Sequence, residues 1–400
     1  MQHRRSVALA RTRDRAADDG GTRGPSGDYS MTDPTWQQLA RELVASIIQK
    51  GHLDDPRLRA AFAETPRHLF VPEYLRLDTD LAGDTRLDGT IGPSDPEYLQ
   101  AVYTDQALMT QTKPVQGQPD SFVWSSSSSM PSVMADMIEE LEIEPGMTVL
   151  ESGTGTGYNA AILCHLLGDE AVTTIEIDPE LRCSALRRLA ELGYHPPTTP
   201  TPDGYDRILA THAVDNIPTE WIKLAKPGAL VLTDLRPPSN SQIGAWAKLT
   251  IDEDGRGATG RLMPPRGFFM SARKLPQYAD DGQRLPELTL EEHQRRAELL
   301  VTRTAGLSSA IFDDPSFGLY FWRRHPDVWF WCHDGEITLS AADGSWAQVR
   351  DTAVHLIGSR DLWSEVEQTD HDWRAIGRPA VADWTVRVTH HGTTELQLAG

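Results

Sequence analysis

The stretch Val149-Leu150-Glu151-Ser152-Gly153-Thr154-Gly155-Thr156-Gly157-Tyr158-Asn159 sets three glycines at alternate positions between a β-rich run and a helical one. A strand-to-helix turn of this kind lets the backbone approach a ligand with no Cβ in the way. A dinucleotide-binding turn is the first competitor. Its fingerprint is G-x-G-x-x-G, however, and the spacing here is G-x-G-x-G. Glu151 stands at the strand end, just before the glycines, where a carboxylate repels a pyrophosphate and suits a cation. The next β-rich run, Thr173-Thr174-Ile175-Glu176-Ile177-Asp178, ends in acid about 20 residues on, the place where such folds set a carboxylate on ribose hydroxyls. Glu176 takes that role, and Asp178 caps the helix that opens at Pro179. S-adenosylmethionine meets these constraints: it is a nucleoside with a sulfonium and an ammonium and no phosphate. The expected cofactor set is Glu151, Gly153, Thr154, Gly155, Gly157 and Glu176.

The surrounding pattern must position that turn. Trp36, Leu39, Leu43 and Ile47 recur at helical spacing, with Gly51 where the helix should stop. Asp54–Ala63 reads as a second short helix, Arg67–Pro72 as an extended segment, and residues 76–100 as loop. Ser129–Ile143 reads as an amphipathic helix with Val133, Met134, Met137, Ile138 and Leu141 on one face. Strand and helix runs then alternate through Leu232, which predicts a parallel, Rossmann-like sheet covered on both faces. Past Pro237-Pro238 the rhythm changes. Ala245–Ile251 and Thr259–Met263 flank Asp252-Glu253-Asp254-Gly255 and read as a β-hairpin, Leu288–Leu300 as a helix, and the rest as tryptophan-rich mixed α+β. The expected division is a disordered tail over 1–30, an N-terminal helical and substrate segment over 31–128, a cofactor domain over 129–236 and an α+β extension over 237–400. Met31 is an alternative start.

The 400 residues include 38 basic and 58 acidic ones, for a net charge of −20. A surface this acidic repels phosphates and disfavours nucleic acid as a partner. Hydrophobic residues at 39% are enough for real cores. No apolar run approaches the roughly 20 residues of a membrane span. Cys164, Cys183 and Cys332 form no CxxC, which argues against a disulfide framework or a cysteine zinc site. His325, His333 and His355 lack ligand spacing, so no metal is expected. The Arg-rich N-terminus has no apolar signal core, and a cytoplasmic location is expected.

Four segments make the sequence resemble the protein L-isoaspartyl O-methyltransferases, which are class I S-adenosylmethionine-dependent enzymes. They are Arg67-His68-Leu69-Phe70-Val71-Pro72, Val102–Leu108, Ser129-Met130-Pro131, and Val149–Gly157 followed by Ile175-Glu176. The serine run Ser125–Ser129, the segment Ala210–Val214 and the added C-terminal half resemble a longer actinobacterial branch. That branch is associated with ribosomally made, modified peptides of the graspetide and lanthipeptide kind. The resemblance implies esterification of an unmodified Asp in a constrained peptide, the ester closing to an aspartimide that persists or hydrolyses to isoaspartate. The family usually has a further strand and a Gly-Asp-Gly turn whose Asp contacts adenine. Here the short, proline-rich 193–206 takes that place. Asp203 is its substitute, and the third strand is expected to be truncated or absent.

A carboxylate acceptor is ionised at pH 7 and needs no strong base, so short hydroxyls and backbone N–H groups suffice to hold it. Ser129, at a helix start, is a candidate for that task or a plain N-cap. Thr211 and His212 follow the fourth strand on the ligand-binding edge, where His212 orients substrate or is an ordinary loop histidine. Tyr103, Asp105, Val71 and Ser128 are the expected peptide-groove residues, with Tyr103 alternatively core. The remaining serines read as a flexible loop. The expected partner is a modified peptide or protein bearing Asp or isoaspartate. Two other readings stay open: a repair methyltransferase acting on isoaspartate in damaged proteins, and a degenerate methyltransferase acting as a binding module.

Overall fold

The computed structural model describes residues 35–79, 85–115, 118–237, 243–272, 300–333 and 335–399. The tail expected over 1–30 and the helix expected from Leu288 fall outside them. Helices α1 (Trp36–Gln49), α2 (Pro56–Glu64) and α3 (Arg67–Phe70) come first. Then come hairpin β1 (Tyr74–Thr79) and β2 (Thr85–Ile91), helix α4 (Tyr98–Val102), and hairpin β3 (Leu108–Val115) and β4 (Gln118–Ser128). The alternating part is α5 (Pro131–Glu140), β5 (Val149–Ser152), α6 (Tyr158–Leu167), β6 (Val172–Ile175), α7 (Pro179–Glu191), β7 (Tyr205–Val214), α8 (Thr219–Leu224) and β8 (Ala225–Leu235). Hairpin β9 (Ala245–Ile251) and β10 (Ala258–Met263) follows, then β11 (Val301–Thr304), α9 (Pro315–Arg324), β12 (Val328–His333), β13 (Glu336–Ala341), β14 (Trp346–Arg350), β15 (Ala353–Ile357), α10 (Leu362–Ala375), β16 (Trp384–Val388) and β17 (Thr394–Leu398).

The main sheet has eight strands in the order β17-β16-β10-β9-β8-β7-β5-β6. Strands β6, β5, β7 and β8 are parallel, and β9 joins β8 antiparallel. The boundary expected after residue 236 therefore falls between two hydrogen-bonded neighbours of one sheet. The C-terminal part adds four strands to that sheet and builds a separate five-stranded antiparallel sheet, β11-β15-β14-β13-β12.

Successive residues on each central strand serve opposite faces. Leu150, Ile208 and Val231 pack with Phe317, Phe321, Trp363 and the second sheet. Val149, Leu209 and Leu232 pack with the N-terminal helices and α6. Both faces are buried, as a parallel sheet requires. Helix α1 seats Leu39, Leu43 and Ile47 in that second core, and Gly51 ends it at φ 82°. No helix among the described residues is long and apolar enough to cross a membrane.

Three local expectations are overturned. Arg67–Phe70 is a helical turn rather than extended, and it aims the Arg67 side chain inward, where it is fully buried. Residues 76–79 and 85–91, expected as loop, belong to a hairpin whose first strand begins at Tyr74. The serine run is not a loop either: Ser125–Ser128 belong to β4, paired with β3. A ladder partner orders a polar stretch whose composition alone reads as flexible.

Candidate functional site

A cavity of about 510 Å³ opens at the C-terminal ends of β5, β6 and β7. The glycine turn forms its floor. Gly153 sits at φ 101°. A Cβ there would lie 2.7 Å from Thr211 Oγ1, so the position requires glycine on both counts. Gly157, at φ 93°, caps α6 and packs on Ala185 and Phe70, so it shapes the turn without lining the cavity. The turn is pinned from β6, since Gly153 and Thr154 N–H both donate to Ile175 O at 2.8 and 3.2 Å. It is pinned from β7 by Thr211 Oγ1, which donates to Gly153 O at 2.6 Å.

Glu176 lines the cavity as expected, with Oε2 accepting from Gly155 N–H at 2.9 Å and Oε1 from Asp178 N–H at 3.0 Å. Glu151 does not face the cavity. It is fully buried beneath the turn, accepting from Asn159 Nδ2 at 2.7 Å and from Thr174 Oγ1 at 2.5 Å. Thr174 Oγ1 in turn meets Thr154 Oγ1 at 2.6 Å. Burial pushes the Glu151 carboxyl up to about 7, against the two hydrogen bonds and with the help of nearby Glu176. Glu151 is thus a positioning residue, tying β5, β6, α6 and the turn together. Asp203 is corrected outright. It is exposed at the start of β7, the opposite end of the strand from the glycine turn. Between α7 and β7 no third strand forms among the described residues. Pro197 O accepts from Thr174 N–H at 3.0 Å, and β6 is the sheet edge.

Of the residues expected to meet the acceptor, Ser128, Ser129, Thr211 and His212 all line the cavity. Arg67 holds the serines in place. Its guanidinium donates to the carbonyls of Val102, Thr104, Gln106 and Ser129 at 2.7–3.1 Å, and burial lowers it to about 10. The Thr211 hydroxyl is committed to Gly153. His212 Nε2 lies 2.9 Å from Ser152 Oγ, while its buried Nδ1 has no partner. Burial holds its imidazole below the ordinary value.

Tyr103, Asp105 and Val71 do not reach the cavity. Asp105 accepts from Ser132 N–H at 2.9 Å in the first turn of α5 and pairs with Lys50 at 2.7 Å. Tyr103 is buried and meets His68 Nδ1 through its hydroxyl at 2.8 Å, and Val71 is core. All three lie outside the lining of the cavity, a distinction that motif matching does not make.

The sequence reading missed one wall entirely. Gly267, Phe268, Phe269, Met270, Ser271 and Ala272 line the cavity from beyond β10. The segment is strapped down at four points. Arg266 Nη1 pairs with Asp136 at 2.7 Å, Trp246 Nε1 donates to Gly267 O at 3.2 Å, Phe269 N–H donates to Asp234 Oδ2 at 2.9 Å, and Ala213 exchanges hydrogen bonds with Met270 O and Ala272 N–H. No local signal points to it, because its partners lie far away in sequence.

The lining fits S-adenosylmethionine. It contains no Lys or Arg among the described residues and one carboxylate, Glu176, which disfavours a dinucleotide and suits a cation. Tyr158 and Asn159 line the cavity, and Asn159 Oδ1 and Tyr158 Oη are buried without partners, one an acceptor suited to an ammonium and the other a donor suited to a carboxylate. No group of His, Cys, Asp and Glu among the described residues could hold a metal.

Comparison with known proteins agrees. Residues 94–249 match the family model for protein-L-isoaspartate(D-aspartate) O-methyltransferase. A protein-L-isoaspartate O-methyltransferase of Gloeobacter violaceus is 36% identical over 245 residues, which span 59% of this chain and 99% of that one. The chain belongs to this family. It is an S-adenosylmethionine-dependent carboxyl methyltransferase. The Ignicoccus hospitalis member is 30% identical over 217 residues, covering 52% of this chain and 86% of its own length. A solved protein-L-isoaspartate O-methyltransferase superposes with a TM-score of 0.47 at 20% identity, over 90% of this chain and all of that one.

Proposed function

We propose that this methyltransferase esterifies the side-chain carboxylate of an Asp in a constrained, ribosomally made peptide, the ester then closing to an aspartimide. One observation carries the reading: the acceptor side is walled by residues 267–272, beyond the stretch 94–249 that the family model matches. A wall contributed from outside that stretch allows an acceptor different from the common one. Methylation of isoaspartate in damaged proteins is the second reading, favoured by the names of the relatives.

When bound, S-adenosylmethionine would supply an electrophilic methyl on a sulfonium, with S-adenosylhomocysteine as the leaving thioether. Glu176 and Gly155 would hold its ribose end, and Asn159 and Tyr158 its amino-acid end. The chain's remaining task is to align a carboxylate that is already ionised and strip its water. Met130, Met134, Phe269 and Met270 make that end apolar. Ser129 Oγ donates to the acceptor, its backbone fixed through Arg67. With Ser152 Oγ–H donating to His212 Nε2, the neutral imidazole carries its proton on Nδ1 and offers it as a second donor. A neutral donor steadies a carboxylate without becoming a nucleophile.

The test is mass spectrometry with two substrates, a linear isoaspartyl peptide and a macrocyclic Asp peptide. The expected result is gain of one methyl and then loss of methanol on the macrocycle. Turnover of the isoaspartyl peptide alone rejects the first reading in favour of the second.

A further inference from the structure

With β6 at the sheet edge and Asp203 at the wrong end, nothing so far covers the nucleobase of the cofactor. Ile177 follows the ribose acid directly, lines the cavity and is 41% exposed. It is an apolar platform with one open face.

The β3–β4 hairpin lies above it. A Cβ on Gly155 would come 3.7 Å from Ser127 O and 3.9 Å from Ser126 Oγ, so β4 crosses directly over the glycine turn. At about 3.3 Å per residue, Trp124 lies about 10 Å farther along the strand, roughly a nucleoside's length. Trp124 lines the same cavity. Phe122 braces its indole edge-on at 5.3 Å. The direction of the hairpin is fixed from the other strand. Lys113, which pairs across from Val123, reaches Asp178 at 2.7 Å, and Asp178 is 4% exposed. Asp178 N–H in turn donates to Glu176 Oε1. The latch therefore joins the hairpin to the turn that holds the ribose acid.

We propose that Trp124 covers the nucleobase of S-adenosylmethionine against Ile177, and that Lys113 on Asp178 latches the hairpin over the bound cofactor. An aromatic from the N-terminal segment here does the work of a strand-borne adenine site. Stacking on an indole is strong and needs no hydrogen-bond pattern from the base.

Isothermal titration tests this with wild type, Trp124→Ala, Trp124→Phe and Lys113→Met, each against S-adenosylhomocysteine and 5′-methylthioadenosine. The second ligand keeps the nucleoside and lacks the amino-acid end. Trp124→Ala should weaken both ligands about tenfold or more, by similar factors, while Trp124→Phe stays within about threefold of wild type. Lys113→Met should weaken both ligands several-fold with a smaller salt dependence, and an affinity within twofold of wild type at low salt overturns the latch. Trp124→Ala binding within twofold of wild type overturns the proposal. So does a loss confined to S-adenosylhomocysteine, which places Trp124 at the amino-acid end, or an equal loss in Trp124→Phe, which removes stacking as the cause. Failure of the wild type to bind either ligand would instead strike the cofactor assignment of the whole cavity.

Discussion

Gly153→Ala perturbs the floor of the cavity at one methyl group. The new Cβ would sit 2.7 Å from Thr211 Oγ1 and 3.2 Å from His212 Cδ2, at φ 101°. The backbone conformation alone costs about 1–2 kcal/mol for a residue with a Cβ. Forcing Thr211 aside adds about 1–3 kcal/mol of overpacking. It also breaks the 2.6 Å bond from Thr211 to Gly153 O and displaces His212. The sum, about 2–5 kcal/mol, should appear partly as a lower urea midpoint and partly as weaker binding of S-adenosylhomocysteine. The double variant Gly153→Ala/Thr211→Ala removes the clashing oxygen and leaves the φ strain. It should be better than additive by about 1–2 kcal/mol, the coupling expected of neighbours in contact. A single variant that binds and unfolds like wild type, or a double variant that is merely additive, would refute this geometry of the turn.

Glu176→Ala should weaken cofactor binding by about 1–3 kcal/mol, the range for charged hydrogen bonds, as measured by titration calorimetry. His212→Asn keeps a donor near the Nδ1 position and should hold most activity, whereas His212→Gln should lose about tenfold or more in kcat/KM. Because burial depresses the His212 pKa, the unfolded chain binds a proton near pH 6.5 that the fold refuses, so stability falls as pH drops below that value. His212→Asn should flatten that part of the urea-midpoint profile. Glu151 has the opposite sign. Its carboxyl is raised to about 7, so the fold holds a proton that the unfolded chain releases, and stability falls as pH rises from the ordinary carboxyl range through 7. Glu151→Gln should remove that decline, and an unchanged pH slope would mean that Glu151 is not buried as described.

The resemblance drawn from four short segments carried the family, and the alternating runs carried the sheet. Where the reading went astray, the cause lay in direction rather than in residue type. Glu151 and Ser152 are neighbours on one strand and so point opposite ways, Ser152 to the cavity and Glu151 beneath the turn. Asp203 was legible as an acid in a turn, but its end of β7 depends on where α7 delivers the chain. Asp105 and Tyr103 sit in a matching segment and yet support the site from behind.

Short windows of the chain specify the glycine turn, the acid that follows the next strand, the first helix and the hairpin over 245–263. These are encoded by local spacing, through the φ freedom of glycine and the periodicities of helix and strand. Long-range packing sets which carboxylate faces the cavity, that the serine run becomes a strand, and that residues 267–272 close one side of the cavity. Those outcomes rest on contacts between segments far apart in the chain, such as Arg266 with Asp136 and Lys113 with Asp178. No window of sequence contains both partners, so only burying the two sides of the sheet together brings them into reach.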